Sequence, residues 1–256
     1  MPRYFIHLAY KGTGFHGWQI QPNAPSVQEA LNKALSVLLK SETETTGCGR
    51  TDTGVHASSF VAHFDSREQI TDPEKFTFQL NALLPPSIRI FKTFEVEAEA
   101  HSRFDATQRS YSYYIARQPN PFLTEFTWFH TRPIDLGLIN KAASMCIGNH
   151  DFSCFSKSGG QQMTNICNVS SCHWTQTEAI LQLDVAANRF LRNMVRAMVG
   201  TMLDVGTGKM SLSEFQAILK HGTRSDAGQS VPPQGLFLEQ VVYPYFQPQR
   251  QYFFNK

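Results

Sequence analysis

Gly47-Cys48-Gly49-Arg50-Thr51-Asp52-Thr53-Gly54-Val55-His56-Ala57 is the stretch around which this chain is organised. Its glycines leave the backbone free to turn tightly and to approach a ligand. Among them sit one guanidinium, two hydroxyls and a single carboxylate. No apolar period runs from Gly47 to Gly54, so the segment reads as a loop. The run Ser59-Phe60-Val61-Ala62-His63-Phe64 that follows reads as a strand. A polar loop pinned to a strand suits chemistry. An ordinary surface turn built on an Asx-type aspartate would have the same composition.

Before this loop, Arg3 to Tyr10 alternates as a strand should, with Tyr4, Ile6 and Leu8 on one face and Arg3, Phe5 and His7 on the other. Gly12-Thr13-Gly14-Phe15-His16-Gly17-Trp18-Gln19 is a glycine-rich loop carrying two aromatics. It lacks the Gly-x-Gly-x-x-Gly order and no Lys-Ser/Thr follows, which argues against a phosphate loop. Its rings could stack on a base, or fold back on the core, the role expected for Trp18. Ser26-Val27-Gln28-Glu29 opens a helix as a capping box, and Val27, Leu31, Ala34, Leu35 and Leu38 share its apolar face.

After the loop, Asp72-Pro73 starts a helix that Pro85-Pro86 stops, and Ile88 to Phe94 reads as a strand. The acidic stretch Glu95, Glu97, Glu99 marks a domain boundary near residue 105. Thr107 to Ala116 is a strand with Arg109, Tyr111, Tyr113 and Ile115 on one face. Such tyrosines commonly pack against the core; one of them covering a nucleobase is the functional alternative. Pro119 to Pro133 and Ser156 to Gln162 read as loops, Asp135 caps a helix to about Ile147, and Ile180 to Val185 is a strand. A helix is expected from Arg189, placing Arg189, Arg192 and Arg196 at i, i+3 and i+7 on one face. Three guanidiniums so aligned repel one another unless an anion lies across them. Ser211-Leu212-Ser213-Glu214 caps a further helix, and Leu236 to Tyr243 is a last strand. Strands outnumber what a βαβ series needs. The expected fold class is α+β, with mixed, mainly antiparallel sheets flanked by helices.

Bulk properties narrow the function. The 256 residues are 41% hydrophobic and 17% charged, with a formal net charge of +2. That balance alone does not signal a nucleic-acid binder. Between Val185 and Arg224, however, six cations face two anions. A local basic patch on a nearly neutral protein suits a polyanion that must bind and leave; a solvated helix face is the plainer reading. The five cysteines form no Cys-x-x-Cys, and Cys167-x4-Cys172-His173 is the nearest approach to metal-ligand spacing. No signal-peptide profile opens the chain and no apolar run reaches bilayer length, so a cytoplasmic location without membrane contact is expected.

Gly49-Arg50-Thr51-Asp52-Thr53-Gly54-Val55-His56-Ala57 closely resembles the signature loop of the TruA family of tRNA pseudouridine synthases. The resemblance extends to Gly12–Gln19, to Ser26-Val27-Gln28 and to Asn81-Ala82-Leu83-Leu84-Pro85. It continues through Arg103-Phe104-Asp105-Ala106-Thr107, Arg109-x-Tyr111-x-Tyr113, Asn188-x-Phe190, Met194-Val195-Arg196 and Gly235-Leu236, in family order over nearly the whole chain. It implies two related domains, 1–105 carrying the catalytic loop and 106–256 completing an active-site cleft between them. It also implies a homodimer, tRNA as partner, and no metal or organic cofactor. The implied reaction converts uridine to pseudouridine in the anticodon stem-loop, at positions 38, 39 and 40.

Within that resemblance Asp52 is the catalytic aspartate, Tyr111 the tyrosine on the target base, and Arg196 the arginine paired with Asp52. Arg50 looks placed for the flipped nucleotide. Arg189 and Arg192 are candidate RNA contacts. The uracil must leave C1′ by its N1, turn, and rejoin through C5, so no redox carrier is needed. Asp52 could attack C1′, attack the base, or remove a sugar proton; each route needs an ionised carboxylate, which an arginine favours in a dry pocket. Two positions depart from the family's pattern: Cys48 replaces a small residue, and Met163-Thr164-Asn165-Ile166 lacks arginines of some relatives. A non-catalytic RNA-binding module would not need the carboxylate, and a metal-dependent hydrolase would need a ligand pair such as His-Glu-x-x-His, which is absent.

Overall fold

Four helices begin where a short polar side chain can accept from a backbone amide of the first turn. Ser26 accepts from Glu29, Asp72 from Lys75, Asp135 from Leu138, and Ser211 from Glu214. Only Ser211 completes the reciprocal box, with Glu214 reaching back to its amide. In the computed structural model the described residues are 1–157 and 164–248. They form strand β1 (Arg3–Tyr10), helix α1 (Val27–Leu39), β2 (Thr46–Gly47), β3 (His56–Asp65), α2 (Pro73–Leu83), β4 (Ile88–Val96) and β5 (Gln108–Ala116). Then come β6 (Trp128–Phe129), α3 (Leu136–Met145), β7 (Gly148–Asp151), β8 (Ile166–Gln176), β9 (Ile180–Ala187), α4 (Met194–Gly206), α5 (Leu212–His221) and β10 (Leu236–Val242). The α+β class expected from the strand count is the class observed.

Packing groups the chain into two units, Met1–Thr107 with the stretch from Phe237 onward, and Gln108–Leu236. In the first, the strand order is β4-β1-β3-β10. β1 runs antiparallel to both β3 and β4, and β10 is parallel to β3. Both faces of β1 are buried. Tyr4 stacks on Phe64, which in turn stacks on Phe76 of α2. On the opposite face Phe5 meets the edges of Phe94 and Tyr243. Two histidines are buried on that second face, His7 beside Ser59 and His63 beside Ser102. Burial pushes both imidazoles down to about 4.

In the second unit the order is β5-β9-β8-β7, antiparallel throughout, with β6 added in parallel to β5. Asn140 of α3 brackets Trp174 of β8 through its backbone N–H and C=O, and the Trp174 indole N–H donates to Met202 Sδ of α4. α4 is apolar nearly all round, with Met194, Val195, Ala197, Met198, Val199 and Met202 buried.

Two expectations need correction. Arg189 and Arg192 precede α4 instead of lying on it. Asn193 adopts φ 65°, which breaks the helical period, and α4 begins only at Met194. Arg196 is therefore the helical member of the three, and no guanidinium stripe forms. Secondly, Ile166–Gln176 is the longest strand of the molecule's described residues, although no strand was expected there. The loop expected at Ser156 to Gln162 lies outside the described residues from 158 onward, as does Met163. Cys167 and Cys172 both sit buried in β8, and among the described residues no cluster of three or more His, Cys, Asp or Glu could hold a metal ion.

Candidate active site

The aspartate loop hangs between β2 and β3. At its start the amide of Cys48 donates to the Val61 carbonyl, which anchors the entry to β3 and buries the thiol. At its end the Gly12 amide donates to His56 Nδ1 at 3.0 Å. That bond makes Nδ1 an acceptor and leaves Nε2 as the protonated nitrogen of a neutral ring. The His56 ring stacks on Phe237, centroids 4.6 Å apart. Between these anchors Arg50 is exposed, Thr51 buried and Asp52 half-buried.

The Gly12–Trp18 loop is the brace of this segment. Tyr10 and Thr51 share a hydroxyl hydrogen bond of 2.9 Å. The Trp18 amide donates to the Thr51 carbonyl, the Gly54 amide to Phe15, and the Val55 amide to Asp52. Trp18 itself is core, 1% exposed and stacked on Phe60 at 4.2 Å, as expected of it. Gly17 has φ +89°, and a Cβ there would lie 2.3 Å from the Thr51 carbonyl oxygen. Only a residue without a side chain lets the brace approach the peptide that carries Asp52.

In the second unit Tyr111 stands on β5 opposite Val185, half-buried, its ring meeting the edge of Phe190 at 5.1 Å. Two residues on, Tyr113 is fully buried and donates to the Pro232 carbonyl at 2.8 Å. Burial raises its phenol well above the ordinary value, and the charge of Arg196 acts against that rise. Arg196 is thus close enough to β5 to be felt there. Its Nε donates to the Val231 carbonyl at 2.7 Å, while the Val231 amide donates back to the Arg196 carbonyl. The Gly228–Val231 segment is held in turn by Gly228 donating to Thr201 and by Asn193 and Arg224 donating to Ser230. The guanidinium is aimed by a packed loop and not left to rotate freely.

Arg50 and Asp52 share one braced loop, while Tyr111 and Arg196 both lie in the second unit, where the charge of Arg196 is felt at Tyr113, two residues along β5 from Tyr111. Arg189 and Arg192 are set apart from Arg196. Arg192 is exposed and its carbonyl accepts from Lys157, and Arg189 is near enough to Cys167 to act on its thiol electrostatically. Sequence reasoning placed Gly17 and Phe190 in family-like motifs without giving either a role, and it gave none to Tyr10 or Val231, which the structure sets against Thr51 and Arg196. Gly17 carried a signal, a glycine between two aromatics in a braced loop; the Val231 contact is through backbone and carried none.

A family profile described as tRNA pseudouridine synthase matches residues 142–244. The chain is 47% identical over 243 residues to the tRNA pseudouridine synthase A of Bacteroides fragilis, covering 94% of this chain and 96% of that one. It is 46% identical over 247 residues to the tRNA pseudouridine synthase A of Bacteroides thetaiotaomicron, covering 95% and 91%. With the tRNA pseudouridine synthase A of Thermoanaerobacter pseudethanolicus it shares 39% identity over 245 residues, covering 95% of this chain and 100% of the relative.

Proposed function

This chain belongs to the tRNA pseudouridine synthase A family and isomerises uridine in tRNA; on that premise we propose that its targets lie in the anticodon stem-loop, at positions 38, 39 and 40, and that Asp52 is the catalytic residue. The observation that carries this reading is the braced Asp52 loop, whose nine-residue signature sits within a family match spanning nearly the whole chain. Asp52 is the group that works at the sugar or the base, by attack at C1′, attack on the ring, or removal of a sugar proton. Arg196 keeps that carboxylate ionised and Tyr111 covers the flipped uracil. Arg50 meets the flipped nucleotide, and Arg189 and Arg192 bind the RNA backbone. Domains 1–105 and 106–256 contribute the aspartate loop and the Tyr111–Arg196 side respectively.

Energetics support a flipped target. Extruding a base costs a few kcal/mol, and stacking on an aromatic ring offsets about 1–3 kcal/mol of it. All fragments stay bound, so the chain's own carboxylate and cations suffice for the proton and charge movements proposed. No described helix is long and apolar enough to cross a membrane. The protein is proposed to work in the cytoplasm as a homodimer, which sedimentation equilibrium tests directly. For the reaction, pseudouridine is mapped in tRNA exposed to wild type and to Asp52→Asn. Wild type should mark the 3′ side of the anticodon stem-loop. Asp52→Asn should lose roughly 10³-fold or more of the rate while holding tRNA within a few-fold. Modification confined to another arm of the tRNA would refute the assignment of positions, and full activity of Asp52→Asn would refute its role.

A further inference from the structure

The turn His101–Asp105 presents a phenylalanine to solvent on a support far more rigid than an exposed ring requires. Phe104 is 74% exposed. The Arg103 guanidinium lies over its ring, 5.6 Å from the centroid. The imidazole of His101 flanks it, with centroids 4.3 Å apart. His101 Nδ1 accepts from the amides of both Arg103 and Phe104, and the Asp105 carboxylate accepts from the His101 amide and the Tyr245 hydroxyl. Beneath the turn Ser102 is fully buried; it donates to the Thr46 carbonyl, and its own carbonyl accepts from Tyr243. Arg3 donates to the Ala100 carbonyl, and His101 packs edge-on against His63 at 4.7 Å. The ring is held in place from below while its outer side stays wet.

An open aromatic paired with a guanidinium matches a nucleobase and its phosphate. Every base has a π-face to stack, and the cation meets the backbone. The Asp105 carboxylate accepts from two donors of its own surroundings, the His101 amide and the Tyr245 hydroxyl. The place of the turn along β3 decides which nucleotide could reach it. His63 is near the end of β3 and His56 at its beginning, next to the Asp52 loop. The loop's entry at Thr46 is itself held by Ser102, and seven residues of strand at about 3.3 Å each put the platform on the order of 20 Å from the loop's far end at His56. A base stacked there is several nucleotides away from the one being isomerised.

We propose that Phe104, with Arg103 over its ring, is a stacking platform for an unpaired base of the tRNA remote from the target, and that it fixes which uridine is presented to Asp52. Phe104 is then a specificity-determining residue that touches neither the reacting base nor the sugar. The proposal rests on the tRNA reading above, with Asp52 as the catalytic centre.

The test compares wild type, Phe104→Ala, Phe104→Tyr and Arg103→Gln on unmodified tRNA, reading kcat, KM and the map of modified positions. Thermal melts and sedimentation equilibrium are run beside the kinetics. Phe104→Ala should raise KM by about 5- to 150-fold, the loss of one base stack, with kcat within two-fold and the melting temperature unchanged. Its map should spread to neighbouring uridines. Phe104→Tyr should stay within two-fold of wild type. Arg103→Gln should lower the slope of log affinity against log salt by about 0.7, one phosphate on single-stranded RNA. A KM and a map for Phe104→Ala equal to wild type would overturn the proposal. So would a change in self-association with tRNA kinetics intact, which would make the ring a contact between copies of this chain. Failure of the anticodon assignment is read separately, from where the wild-type enzyme modifies tRNA.

Discussion

The Thr51 carbonyl lies where a side chain on residue 17 would begin, and that single approach ties two loops together beside the candidate catalytic carboxylate. Trp18 donates to the same carbonyl and Tyr10 holds the Thr51 hydroxyl, so the residue before Asp52 is fixed at both its backbone and its side chain. Pre-positioning of this kind matters because misplacing a reacting group by an ångström can cost two orders of magnitude in rate. Gly17→Ala therefore should act twice: it strains a backbone at φ +89° and drives a methyl to 2.3 Å from an oxygen that cannot move without moving Asp52. The expected loss is about 2–4 kcal/mol in urea unfolding and at least roughly 10²-fold in kcat. Gly14→Ala in the same loop is the control, since a Cβ at Gly14 meets nothing within 4 Å. Equal behaviour of the two variants would mean that the brace does not position the aspartate.

At the scale of elements, helices with a side-chain cap were legible and the others were not. Ser26, Asp72, Asp135 and Ser211 each announced a start within a residue of the one observed. α4 has no side-chain cap; its start depends on one left-handed residue, Asn193, that periodicity does not see. β8 was missed for a different reason. Its inward residues include Cys167, Cys172 and Trp174, a register shift between Val169 and Ser171 breaks the alternation, and the outward positions are polar apart from Ile166. The Asp52 loop was legible as a loop because its residues are contiguous. The bond from Arg196 Nε to Val231 was not, because its acceptor is a backbone carbonyl 35 residues away. The α4–loop contact has its own test in Gly200, where a Cβ would come within 1.8 Å of the Gln229 carbonyl oxygen. Gly200→Ala should push the Gly228–Val231 segment off α4, costing about 2 kcal/mol or more in stability. Arg196 loses its aim with it, so kcat should fall while binding of tRNA changes little. A variant with wild-type kcat would show that the Val231 bond does not orient the guanidinium.

For the molecule as a whole, the response to acid follows from two buried imidazoles in the first unit. His7 meets Ser59 Oγ and the rings of Phe91 and Phe246, and burial lowers it to about 4. His63 is lowered to about 4 chiefly by burial; Arg3 and His101 push the same way, and Asp65 and Asp105 push back. In the unfolded chain both titrate near an ordinary histidine value of about 6.5. Between those limits the unfolded state binds protons that the folded state refuses, so stability must rise with pH there. Their contribution is complete above about pH 6.5 and is lost as pH falls towards 4. Asp65, held down by its bond to Arg3, and Asp105, held down by the His101 amide, add their losses only below the ordinary carboxylate range. Urea unfolding at closely spaced pH should therefore show a flat region near neutrality, then a decline between pH 6.5 and 4 with an uptake on unfolding approaching about two protons. His7→Gln should remove about one of the two while keeping a side chain able to bond Ser59. A stability that stays flat down to pH 4.5, or a slope that His7→Gln leaves unchanged, would mean that these rings are hydrated in the folded protein and that the second face of the first sheet is less tightly closed than its aromatic packing indicates.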